Sequence, residues 1–167
     1  MKRLLCLLLV GLCTPALLCG CGRSRTDETI TNMHIPIGDV TEFCYTYENI
    51  NFNASYRRYR LYMEDGRCLF HHEAREKPNG YGWTTEEDIT AAGTFELTDA
   101  EWREAVELLK NGKVSRRSDS AETGSSGPWT YIYWKRDKSR YQQFEFSAYG
   151  EKLAFEEYCA ALAGRDQ

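Results

Sequence analysis

Cysteines and histidines are the residues of this chain best suited to nucleophilic or metal chemistry. It has 7 cysteines and 3 histidines. Cys44, Cys68 and Cys159 lie well inside the chain, and His71 and His72 stand side by side. Adjacent residues on a strand point to opposite faces, so these two histidines do not share one ion. Glu73 is on the side of His71, but two strand residues away, about 6.6 Å by rise. No metal site and no cofactor are expected. Cys68 and His72 are separated by about 13 Å of strand, whereas direct proton transfer needs about 3 Å. Ser118, Ser120, Ser125 and Ser126 fall in a polar stretch without a Gly-x-Ser-x-Gly elbow. Glu86-Glu87 and Glu156-Glu157 occupy solvated positions. Dinucleotide and phosphate loops, His-Glu-x-x-His and Cys-x-x-Cys are all missing from the sequence. No catalytic residue is assigned.

A fourth cysteine has a different context. Lys2 and Arg3 precede an apolar run from Leu4 to Leu18, interrupted by Gly11, Thr14 and Pro15. That is an export leader, too short for a bilayer span of about 20 residues. It ends in Leu18-Cys19-Gly20-Cys21. This ending resembles the lipobox of bacterial lipoproteins: Leu, a small residue, Gly, then the modified Cys. Cys19 departs from the commoner Ala, Ser or Thr. The resemblance implies cleavage before Cys21 and a diacylglycerol thioether on its sulfur. Residues 1–20 would then be signal peptide, and the mature protein a lipid-anchored one on the outer side of the cell membrane. In this, and in general style, the chain resembles the small lipoproteins of Gram-positive envelopes.

Residues 21–39 read as a tether, polar and aperiodic from Gly22 through Thr29, with Ile35-Pro36-Ile37-Gly38 near the point where it meets the domain. His34 is expected to be solvated. Residues 40–164 form the folded part. Asp65-Gly66 signals a two-residue hairpin turn. It sets Glu64 opposite Arg67, Met63 opposite Cys68, Leu61 opposite Phe70, Tyr59 opposite His72 and Arg58 opposite Glu73, with both acid–base pairs matched across the strands. A second hairpin joins Thr130–Trp134 to Gln142–Phe146, with Ile132 expected opposite Phe144 and Thr130 opposite Phe146. Phe43–Tyr47 and Gly93–Leu97 alternate as further strands. Thr98-Asp99-Ala100-Glu101 is a capping box opening a helix that Gly112 would close. A last helix runs from about Glu151 to Ala163. Lys77–Asp88 and Ser115–Gly127 are loops, the first ordering around Tyr81 and Trp83. The sum is one α+β domain, with a mainly antiparallel sheet of five or six strands and two helices.

Composition restricts the partners. Hydrophobic residues at 42% and charged ones at 28% exclude a disordered or collagen-like chain. The formal charge of −4 falls to −6 without Lys2 and Arg3, which gives no electrostatic case for nucleic acid. Three cysteines in the mature domain imply either three buried thiols, the better reading, or a Cys44–Cys68 bridge with one thiol left over. Tyr56, Tyr62, Tyr131 and Tyr133 fall on outer sheet faces. Such an aromatic face either contacts a protein or glycan partner or lies beneath a helix. The first expectation is a non-catalytic binding domain anchored to the membrane, with Tyr131 and Tyr133 as its contact residues. An envelope hydrolase whose site is invisible in sequence, or a small solute-capturing lipoprotein, is the alternative.

Overall fold

A computed structural model describes residues 28–47, 55–82, 84–116, 130–135 and 137–166. The leader, Cys21, Trp83 and the polar stretch beyond Arg116 lie outside the described residues. The strands are β1 (Thr29–Ile30), β2 (Ile35–Pro36), β3 (Val40–Tyr47), β4 (Ser55–Glu64), β5 (Arg67–Glu76), β6 (Ile89–Glu96), β7 (Lys113–Arg116), β8 (Thr130–Trp134) and β9 (Asp137–Glu145). The helices are α1 (Asp99–Glu107) and α2 (Tyr149–Ala163). β1 and β2 pair with each other. The other strands form one antiparallel sheet in the order β6-β5-β4-β3-β8-β9-β7. The α+β class and the two helices agree with the sequence reading. The strand count does not: the main sheet has 7.

The first hairpin sits in the expected register, with Tyr59 opposite His72, Leu61 opposite Phe70 and Met63 opposite Cys68. Its turn has positive φ at both central residues, 51° at Asp65 and 80° at Gly66, as a type I′ turn requires. The second hairpin is shifted by two residues. Ile132 faces Gln142, not Phe144, and Trp134 faces Asp137 across a tighter turn, with an irregularity between Ile132 and Trp134. A two-residue shift preserves the faces, so Ile132 and Phe144 are both buried in the core. The added strand β7 pairs with β9 and sets Val114 opposite Phe144.

One sheet face carries Phe43, Tyr45, Tyr59, Leu61, Phe70, Ile132 and Phe144. They share a core with Trp102, Ala105 and Val106 of α1 and with Phe155, Cys159 and Leu162 of α2. Both helices therefore cover the same face. The Thr98 hydroxyl accepts from the Glu101 N–H at 3.3 Å, and the Glu101 carboxylate accepts from the Thr98 N–H at 2.8 Å. The Tyr158 hydroxyl of α2 donates to the Glu101 carbonyl at 2.9 Å, tying the helices together.

The expected tether is partly folded chain. From residue 28 to 39 the segment belongs to the domain, because Ile30, Ile35 and Ile37 are buried in the common core. The Thr31 N–H donates to the Lys110 carbonyl at 2.8 Å, and the Asn32 side chain accepts from the Val114 N–H at 2.7 Å. These bonds clip the N-terminal hairpin to the link after α1 and to β7 itself. Tyr81 is 83% exposed and organises no core under its loop, against expectation.

Candidate functional site

The second face of the sheet has no described helix on it. Register alone places Thr94, His71, Arg60, Cys44, Tyr131, Gln143 and Ser115 in a row across all seven strands. Beside it, Tyr62, Glu42 and Tyr133 form a second row, and Glu73, Arg58 and Thr46 a third. Tyr56 lies one step further, opposite Arg75.

Glu42 is the hub of the first two rows. Its carboxylate accepts from Arg60 Nε at 2.7 Å and from the Tyr131 hydroxyl at 3.1 Å. Burial pushes the Tyr131 phenol well up, reinforced by the neighbouring Cys44 thiol and Glu42. Burial likewise raises Cys44, partly offset by its hydrogen bond with Tyr131. Neither ionises near neutrality, so the pair offers no nucleophile. The Tyr131 and Tyr133 rings are 5.3 Å apart and inclined at 60°. Both tyrosines are half-buried. Among the described residues no helix lies above these rings.

The arginine guanidinium carbons stand over tyrosine rings: that of Arg60 is 4.2 Å from the Tyr62 ring centroid, and those of Arg58 and Arg75 are 5.4 and 5.1 Å from that of Tyr56. Arg58 and Glu73 are opposite one another as expected. The Glu73 carboxylate nevertheless goes to Arg75 Nε at 2.5 Å, and Arg58 makes no ion pair among the described residues. The Arg58 Nε, the Tyr56 hydroxyl and the Thr46 hydroxyl are all buried without a hydrogen-bond partner. Burial raises the Tyr56 phenol, and the neighbouring Thr46 hydroxyl partly offsets this. The sequence places Arg58 opposite Glu73, but Thr46 and Glu42 do not stand out in it, because alternation places them on this face and does not say which carboxylate each arginine takes.

The histidines separate as alternation requires. His71 Nδ1 is 2.8 Å from the Thr94 hydroxyl on the open face, and burial lowers its imidazole despite Glu73. His72 is buried and stacks on Phe70. Among the described residues no group of three or more His, Cys, Asp and Glu side chains is placed to hold a metal ion. Cys44, Cys68 and Cys159 are buried free thiols. Cys44 and Cys68 occupy opposite faces two strands apart, which excludes a bridge.

A cleft of about 490 Å³ lies elsewhere, lined by residues including Ile37, Met63, Cys68, Asp99, Trp102 and Arg103. Burial raises the Cys68 thiol, with Asp99 and Glu96 adding to it, so this cleft has no thiolate near neutrality. Compared with known proteins, the chain matches no family model, no curated protein and no solved structure. What it does must therefore be argued from its own residues.

Proposed function

We propose that this chain is an envelope lipoprotein whose folded domain binds a partner and does not transform it. Export, cleavage before Cys21 and lipid attachment at Cys21 are supported by the charged, apolar leader and by Leu18-Cys19-Gly20-Cys21. Two acyl chains hold a protein far more firmly than one, each buried methylene adding about 0.8 kcal/mol. Residues 21–27 would then be the whole span between the lipid and the core, about 23 Å when extended. The domain works close to the bilayer.

The observation that carries the binding reading is the sheet face bearing Tyr131 and Tyr133. A surface of half-buried tyrosines and arginines with no described helix on it has the composition favoured at contact surfaces. Its titratable groups do not pair a nucleophile with a base. A photo-reactive residue in place of Tyr133, activated on intact cells, should cross-link an envelope protein or glycan. The same residue in place of Lys110, near the far side of the fold, should not. Equal labelling from both positions would defeat the reading. Wild-type protein should fractionate with membranes, and Cys21→Ala should be released or remain uncleaved. The cleft beside Met63 and Cys68 favours the second reading, capture of a small solute, which a ligand protecting Cys68 from alkylation would support.

A further inference from the structure

We infer that the β6 edge of the sheet is a self-pairing surface, on which a second copy of this chain adds its own β6 antiparallel. In the order β6-β5-β4-β3-β8-β9-β7 the two edge strands are β6 and β7. A strand edge offers unpaired N–H and C=O groups, and proteins guard it with short length, lysine, proline, a bulge or a covering element. β7 is guarded: it has 4 residues, and Lys113 and Arg116 are among them. β6 is not. It has 8 residues, Ile-Thr-Ala-Ala-Gly-Thr-Phe-Glu, without Lys, Arg or Pro, and its only charge is Glu96 at the end. The irregularity in its ladder lies at the other end, beside Ile89, and Ala91 to Glu96 pair with β5 in unbroken register.

The ladder shows which groups this edge presents. The Leu97 N–H donates to the Cys68 carbonyl at 2.8 Å, so Leu97 faces β5, and the direction alternates along an antiparallel strand. Phe95, Gly93 and Ala91 therefore turn their main-chain groups to β5, while Glu96, Thr94 and Ala92 direct theirs outward. All three outward residues are exposed, and among the described residues no strand lies beyond them. The occupant such an edge holds is an extended strand whose own outward groups are free. β6 meets that requirement for itself. About a two-fold at Gly93, Ala92 of each copy faces Thr94 of the other, and Thr90 faces Glu96. Hydroxyl then meets carboxylate and no like charges oppose, whereas a two-fold at Ala92 would set Glu96 against Asp88. The outward residues share one face, so this pairing keeps both open faces on one side. Their rows of tyrosines and arginines become one two-valent surface. The pairing does not depend on what binds that face.

The test uses the full chain as its host cell processes it, with detergent micelles in excess, followed by sedimentation and hydrogen exchange at rising concentration. One edge contact is smaller than a standard interface, so the dimer should form with a Kd of roughly 1–100 μM. The Thr94 and Glu96 amides should gain protection of at least about tenfold as it forms. Proline fits an edge strand where its missing N–H would have faced solvent. Ala92→Pro should therefore keep the melting temperature near wild type yet abolish both the dimer and the Thr94 protection. Ala91→Pro breaks a bond to β5 and should lower the melting temperature. Ala92→Lys puts the missing guard on the edge, and its loss of the dimer decides the matter if Ala92→Pro does not fold. A chain that stays monomeric up to about 100 μM, or a dimer that survives both Ala92 variants, would overturn the inference. Thr94 protection in a monomer would give the edge to a different strand and would equally defeat self-pairing.

Discussion

Gly112 lies against Phe144 so closely that a Cβ on it would stand 2.1 Å from two ring carbons. The close approach explains this glycine. α1 already ends at Glu107, and Gly112 does not close it with a left-handed residue. It lets the segment into β7 pass over a core ring between β9 and the helices. Gly112→Ala should therefore cost about 1–3 kcal/mol through overpacking, read as a lower urea midpoint. Gly150, in the first turn of α2, has nothing within 4 Å of its virtual Cβ. Gly150→Ala should gain up to about 1 kcal/mol. Equal midpoints for the two variants would contradict the packing.

The Asp65-Gly66 turn gives a second test. Gly66 has φ of 80°, a conformation that costs an L-residue roughly 1–2 kcal/mol. A β-branched side chain suffers most. Gly66→Val should thus lower stability more than Gly66→Ala, although a Cβ there meets nothing within 4 Å. A valine variant as stable as the alanine one would show that the turn conformation is not limiting.

The contrast between the two hairpins shows what was legible. Asp65-Gly66 admits one turn geometry, and the register of ten residue pairs followed from it. Arg136-Asp137-Lys138-Ser139-Arg140 admits several. Alternation placed Ile132 and Phe144 on the buried face but left the offset free, and the strands settled two residues away. β7 carries one apolar residue, Val114, too few to show a period. Ile30, Ile35 and Ile37 lie among polar neighbours, so only tertiary contact with the core reveals them as structural. The open face was legible in its tyrosines and not in its arginines. Cross-strand position gave Arg58 to Glu73, whereas the carboxylate turned along its own strand to Arg75.

Acid should weaken the first helix cap in a defined direction. Hydrogen bonds from the Thr98 N–H and hydroxyl, then Arg165, hold the Glu101 carboxyl below its ordinary value. A carboxyl depressed in the folded state contributes stability above its unfolded pKa of about 4.3 and loses it as pH falls through the folded value. Wild-type stability should therefore drop on titration from neutrality to about pH 3. Glu101→Gln removes this contribution, and its profile should be shallower over the same range. Parallel profiles in guanidinium melts would remove Glu101 from the account of acid sensitivity.

Contact and turnover make different demands on the same residues. If the domain acts by contact, Tyr133→Ala should weaken partner capture with little loss of fold, because Tyr133 is half-buried on a face without a described helix. Tyr131→Ala is a harsher change. It strips a hydroxyl from Glu42 and opens space beside the buried Cys44, so its effect on capture must be read against its melting temperature. Tyr131→Phe keeps the ring and should retain more stability than Tyr131→Ala. Cys68→Ala and His72→Gln lie on the core face, and should change function only as far as they lower stability. His71→Gln removes the contact with Thr94 but no catalytic proton, and should leave capture within about twofold, on the order of 0.4 kcal/mol. A His71, His72 or Cys68 variant that melts like wild type yet abolishes function would mean that chemistry, not contact, is the task of this domain.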